Sequence, residues 1–253
     1  ARKVEGVRGS DQALKKCANK SRTPHFFLID GDNQIISSKL NEKIKLPTLE
    51  NHWVLSWAAM NSLNGLAYGN GGLKLWPKSV ALSIQSHENS SSHGDQTDYC
   101  FLAKYLLVDQ YITQTHVTTT AQQAFRAGFR EGVKMSLVWG RQQNVTGANF
   151  ELLLGRQNRM RLKVWCEIGA DIPNGYWAIL GARLGLKYNA ILKFNDQNIN
   201  SFGWIDELLE NKVRKTLGLS TKNLSDQSHK IVPLIKKIGK EINEHLPIHL
   251  DLR

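Results

Sequence analysis

Apolar positions recur along the chain with the helical period in some segments and in short continuous runs in others. In residues 11–20 (DQALKKCANK), Ala13, Leu14, Cys17 and Ala18 share one face. Gly9-Ser10-Asp11 supplies a turn and N-cap ahead of them, and Thr23-Pro24 a break behind. Residues 1–7 read as a short strand entering a turn. Residues 25–29 (HFFLI) read as a short apolar strand of the kind buried in a parallel sheet. This run leads into the polar turn Asp30-Gly31-Asp32-Asn33. Strand, helix, strand and acidic loop together predict a βαβ unit with carboxylates at the carboxyl end of its second strand, where open α/β sheets bind ligands.

Residues 53–57 predict another strand. The stretch NSLNGLAYGNGGLKLWPK that follows is rich in Gly and Asn and calls for positive φ or close backbone approach. Residues 86–98 form a hydrophilic loop, and 99–110 an ordered, half-buried segment. The clearest helix spans 120–139: Ala121, Phe125, Phe129, Val133 and Leu137 mark one face, and Arg126, Arg130 and Lys134 a basic stripe at i, i+4, i+8. Its two glycines, in AFRAGFREGVKM, each cost about 1 kcal/mol relative to Ala. A ligand or another backbone should therefore come close to compensate. Residues 141–158 read as a linker or short helix, 159–168 as strand or helix, and 176–188 as a helix whose Gly181 and Gly185 allow close packing. A last helix is expected over 229–245, with Pro233 in its first turn. The pattern predicts an α/β fold with a mostly parallel sheet, a main domain over 1–190 and a helical C-terminal appendage over 191–253.

Composition narrows the classes. With 41% hydrophobic and 22% charged residues in 253, the chain has enough apolar material for a core and is not a disordered polypeptide. The longest apolar runs are far short of the ~20 residues of a membrane span. Lys plus Arg number 33 against 22 Asp plus Glu, a net +11. This exceeds the ~2–8 usual for a small soluble domain and points to a polyanionic partner. Cys17, Cys100 and Cys166 are odd in number and form no CxxC, so neither a zinc site nor a disulfide framework is indicated, and a reducing cytoplasm is the expected compartment.

Four constellations carry candidate chemistry. Asp30 and Asp32, spaced i, i+2 across a turn after an apolar strand, can both reach a hard divalent cation such as Mn²⁺ or Mg²⁺; the bland alternative is a solvated Asx turn. Arg126, Arg130 and Lys134 can grip phosphate oxygens, or simply form a solvated helix face. In YGNGGLKLWPK, Gly71 and Gly72 expose backbone N–H groups that can cradle a phosphate or line a sugar pocket, with Lys74 and Trp76 beside them, or else form only a Gly-rich hairpin; the Walker A order is lacking. His87, Glu88, His93 and Asp98 lie in a polar loop, with His87 a candidate metal ligand and Asp98 a candidate base. Glu131, Asp171 and Glu167 are further acid or base candidates.

Taken together, the opening 33 residues ending in FFLIDGDN resemble the nucleotide-binding region of GT-A-fold glycosyltransferases, where a comparable segment ends in a DxD motif. NSLNGLAYGNGGLKLWPK, AFRAGFREGVKM and NGYWAILGARLG resemble glycosyltransferases of tailed phages. The resemblance covers roughly residues 1–190. It implies a GT-A-like sheet lacking its first strand and nucleotide-cradling loop, so that an upstream segment is missing, another chain supplies it, or the donor is held differently. It further implies Asp30 and Asp32 binding Mn²⁺ or Mg²⁺ on the diphosphate of a nucleotide sugar, with UDP-sugar the leading donor and Arg8 touching the nucleotide. With +11 charge, the implied acceptor is DNA carrying a modified base, in the host cytoplasm. The other readings are a different metal-dependent phosphate enzyme, for which a third carboxylate is expected, and a non-enzymatic nucleic-acid-binding or virion protein.

Overall fold

The computed structural model describes residues 2–39, 52–86, 89, 103–220 and 223–252. They form an α/β protein in two compact units, Ala1–His116 and Val117–Arg253. Position 190, the expected boundary, falls inside the second unit.

The first unit contains α1 (Ser10–Lys20), β1 (His25–Ile29), β2 (Asn33–Ile35), β3 (Val54–Asn61), β4 (Ala67–Pro77), α2 (Lys78–Ser83) and β5 (Tyr105–Thr115). The strands form one sheet in the order β1-β4-β3-β5-β2. Only β3 and β5 are parallel; the other three pairings are antiparallel. The expectation of a mostly parallel sheet is therefore corrected to a mixed, mainly antiparallel one. Its reason is local: HFFLI is an edge strand, and its alternating exposure leaves Phe27 62% exposed. Residues 2–7 form no strand, so no βαβ unit precedes the acidic turn.

The pairings of β3 with both its neighbours slip at Ala58. On β4, residues 69–72 lie opposite that single residue, between the pairs Trp57↔Leu73 and Ala59↔Tyr68. On β5, the register also slips between Val108, Tyr111 and Thr113. Such bulges twist and bend a strand. Two apolar clusters flank the sheet. Leu14, Ala18 and Ala81 from the helices pack on Val54 and Trp76 on one face, and Leu55, Trp57 and Leu73 cluster on the other.

A buried carboxylate fastens α1. Asp11 accepts from Ser86 N (3.0 Å) and Asn89 Nδ2 (2.8 Å), and pairs with Lys15 at 2.6 Å. Burial by itself raises its pKa, but these hydrogen bonds outweigh burial and hold it below the ordinary value of 3.8.

The second unit is helical: α3 (Ala121–Met135), α4 (Phe150–Glu167), α5 (Gly175–Leu186), α6 (Phe202–Leu208) and α7 (Val232–His245), with shorter 3₁₀ and π turns between. Thr120 caps α3 by accepting from Gln123 N at 3.1 Å. α4 covers the segment left open between linker, strand and helix, and is kinked at Gly155 (φ 61°).

The glycines of α3 meet another backbone. A Cβ on Gly128 would lie 1.9 Å from Ala178 O, and one on Gly132 2.1 Å from Ala182 O. Reciprocally, a Cβ on Gly181 would lie 2.3 Å from Phe125 O, and one on Gly185 2.2 Å from Phe129 O. Both registers climb together, so α3 and α5 run in the same direction with backbones in contact. The helix-propensity cost is offset by this packing.

The C-terminal segment is part of the same core. Arg183, 1% exposed, donates to Cys166 O (2.9 Å), Ile235 O (2.9 Å) and Asp251 O (2.8 Å). Burial lowers its pKa, and nearby Glu167 and Asp251 oppose that. Glu167 accepts from Lys163 at 2.5 Å and from Asp251 N at 2.8 Å. Residues beyond 190 are thus bound to α4 and α5 through buried polar groups, which is why they do not form a separate appendage.

Gly128→Ala should cost at least about 3 kcal/mol, because a rigid carbonyl stands where the methyl must go. Ala127→Gly on the same helix should cost only about 1 kcal/mol; urea denaturation distinguishes them. For Asp11, a depressed folded pKa means that its stabilisation is full above the unfolded value and is lost as pH falls through the folded one. The stability gap between wild type and Asp11→Asn should therefore narrow as pH drops from 5 to 3, measured by thermal melts.

Candidate functional site at the acidic turn

β1 and β2 occupy opposite edges of the sheet, yet only residues 30–32 separate them. In a flat five-stranded sheet those edges lie about 19 Å apart, at ~4.8 Å per strand. The link is a tight turn: Asn33 N donates to Asp30 O at 3.0 Å, which brings its ends within about 7 Å. The sheet must curl so that its two edges approach at this turn.

Hydrogen bonds fix the turn to both sides. Asp30 N donates to Gly72 O (2.8 Å) on β4, and His116 N donates to Asp32 O (2.8 Å) beyond β5. Thr115 Oγ1 donates to Asn33 Oδ1 (2.9 Å), and Asn33 Nδ2 donates to Asp32 Oδ1 (2.8 Å). The Asn33 amide fills the place of a side chain on Gly72, where a Cβ would meet Nδ2 at 2.1 Å. A side chain there would have to displace the Asn33 amide from its bonds to Thr115 and Asp32, which explains one residue of the GNGG run.

Lys74 completes the cluster. Its side chain is 13% exposed, and Nζ lies 3.8 Å from Asp30 Oδ2, whose side chain is 49% exposed. Lys74 is in register with Leu28 on β1 and Ser56 on β3. Ser56 is fully buried, and its Oγ has no hydrogen-bond partner. The crowding of protein around Asp30 pushes its pKa up. Lys74 pulls it down, and the charge of Asp32 pushes it up again, with a net rise. Burial, reinforced by Asp30, likewise raises the Cys17 thiol on α1, with Lys20 opposing.

The expected site residues are thus divided. Asp30, Asp32, Gly72 and Lys74 come together, and Gly71 lies in the same bulged segment of β4. Arg8 is exposed ahead of α1 and makes no hydrogen bond to the turn. Arg126, Arg130, Glu131, Lys134, Glu167 and Asp171 belong to the second unit. There Arg126 is engaged in a bidentate pair with Asp206 of α6 (Nε–Oδ1 2.6 Å), and Arg126 and Arg130 lie over the Phe202 ring at 5.2 and 5.4 Å. Asp171 is exposed in the turn after α4, and Glu167 is a buried structural carboxylate. His87, Glu88, His93 and Asp98 lie outside the described residues. Asn33, Thr115 and Ser56 are additional members. Ser56 had a signal in the sequence, as a polar residue inside the apolar run VLSWAAM; Thr115 had none.

Two carboxylates, one of them exposed and one half-exposed, form a hard-oxygen donor pair beside a largely buried ammonium. Among the described residues no group of three or more His, Cys, Asp or Glu is placed to hold a metal, and no helix is long and apolar enough to cross a membrane. No protein-family model matches the chain, and neither does any curated protein or solved structure.

A carboxylate whose folded pKa is raised disfavours the folded state above that pKa. Asp30→Asn should therefore raise the melting temperature at pH 7, and the gain should vanish as pH falls below the unfolded value of about 3.9. Thermal melts across pH check it.

Proposed function

We propose that the chain is a glycosyltransferase that takes its sugar from a nucleotide-sugar donor, UDP-sugar in the first instance, bound at the acidic turn. The observation that carries this reading is the meeting of two short motifs distant in sequence. The DGDN turn and the GNGGLK segment share the Asp30 N–Gly72 O bond and the Asp30–Lys74 pair.

The residues fit a divalent cation. Mg²⁺ and Mn²⁺ are commonly held by one or two carboxylates, with waters and substrate phosphates filling the other positions. Asp30 and Asp32 would hold the ion, and the donor's diphosphate would complete its shell. Bound there, it would supply charge neutralisation for the departing nucleoside diphosphate. Lys74, fixed between β1 and β3, provides a second positive charge on the same side. Asn33, locked by Thr115 and Gly72, orients the Asp32 carboxylate through its amide. The one-residue spacing at Gly31 lets both carboxylates face one point.

Calorimetric titration of UDP and UDP-sugars, with and without Mn²⁺, tests the reading. Wild type should bind in a metal-dependent manner, and Asp32→Ala should lose at least about tenfold in affinity, the scale of one charge-assisted contact. Equal binding by the variant, or no nucleotide binding by wild type, would count against it.

A further inference from the structure

Away from the acidic turn, the second unit carries an exposed aromatic held in an unfavourable backbone conformation. Val138 and Arg141 exchange backbone hydrogen bonds of 3.0 and 3.1 Å, closing a hairpin with Trp139 and Gly140 at its tip. Both tip residues have positive φ, 54° and 74°. These are the signs of a type I′ turn, where Asn-Gly is favoured and a bulky L side chain is an outlier. The indole does not gain burial in exchange: Trp139 is 82% exposed.

The base of the hairpin is rigid. Gln142 Nε2 donates to Asn189 Oδ1 (2.9 Å) and Phe194 O (3.0 Å). Buried Asn189 donates in turn to Ser136 Oγ (2.9 Å) and its carbonyl (3.2 Å). The same network fixes residues 187–195 beside the hairpin, where exposed Lys193 also has positive φ (53°) and donates to Val145 O at 3.2 Å. Of the four described non-glycine residues with positive φ, two are asparagines, which tolerate it. The other two are Trp139 and Lys193, joined through this one network. Strain held in place by over-determined surroundings marks functional surfaces.

The sequence beside the hairpin is basic, and Glu241 of α7, which reaches the 187–195 segment, is paired with Lys187. Neither residues 132–150 nor residues 172–195 contain an Asp or Glu, while Arg141 and Lys193 are exposed.

We propose that this corner binds single-stranded nucleic acid, with an unpaired base stacked on the Trp139 indole and flanking phosphates held by Arg141 and Lys193. Aromatic platforms interleaved with cations are the general means of gripping single strands, since every base offers a π-face. A duplex keeps its bases stacked on one another and offers the indole much less. The surface stands apart from the donor-site reading and holds even if the acidic turn binds no nucleotide.

Fluorescence anisotropy of a labelled oligothymidylate on the full chain tests it. Trp139→Asn removes the indole but suits the turn, so its melting temperature should be no lower than that of wild type. Its affinity should fall about 5–150-fold, the worth of one stacked base. The Arg141→Ala/Lys193→Ala double variant should weaken binding and flatten the salt dependence by about two phosphate contacts. No binding by wild type, unchanged binding by Trp139→Asn, an equal loss of heparin binding in that variant, or duplex bound as tightly as the single strand would each overturn the proposal.

Discussion

A three-residue link between strands at opposite edges of one sheet is the constraint on which the first unit depends. Backbone reach alone forbids a flat arrangement, so the sheet must curl, and the pairings of β3 with β4 and β5 both slip at one level, around Ala58. The β1–β4 register, continued one position past Ile29↔Leu73, sets Gly72 opposite Asp30 at the turn. The Asn33 amide occupies the space beside Gly72 that a side chain there would take. The site is therefore a consequence of chain closure: the residues that close the sheet are the residues that carry the carboxylates.

The second unit solves a different problem. Its two principal helices bring their backbones into contact, which needs glycine on both at four-residue spacing. Contact this close leaves the larger side chains of α3 to pack elsewhere. Phe129 packs edge-on against Tyr188 and Phe194 and tilted against Trp204, and Arg126 reaches α6. Arg183 then ties three carbonyls from separate segments, an arrangement that a lysine, with no planar fork, would not reproduce.

Net charge takes on a different meaning once its members are placed. Several cations serve the fold: Arg183 and Arg126 are consumed internally, Lys163 is paired with Glu167, and Lys187 is paired with Glu241. A count of +11 therefore does not locate a polyanion surface. Exposed Arg141 and Lys193, in stretches of sequence without Asp or Glu, are more telling, and they favour the hairpin of Trp139 over α3, whose Arg126 is paired with Asp206.

By itself the sequence determined the helices whose apolar faces repeat at the helical period, α1, α3 and α7, because that period is a local property of the chain; α5 is buried on nearly every side and was marked by its glycines instead. The sequence also determined the acidic turn, since an apolar run ending in DGDN has few other conformations, and it flagged the glycines of α3 as needing a close neighbour. Tertiary structure alone decided which neighbour that was, because backbone-to-backbone contact depends on a helix some fifty residues away. It alone decided strand direction and order: HFFLI reads the same at an edge as in a buried parallel strand, and only the partner on either side distinguishes them. The same reason hid Ser56 as a companion of Asp30 and left the contact of Lys74 with it undetermined, since register across a sheet is fixed by pairing and closure and not by any spacing along the chain.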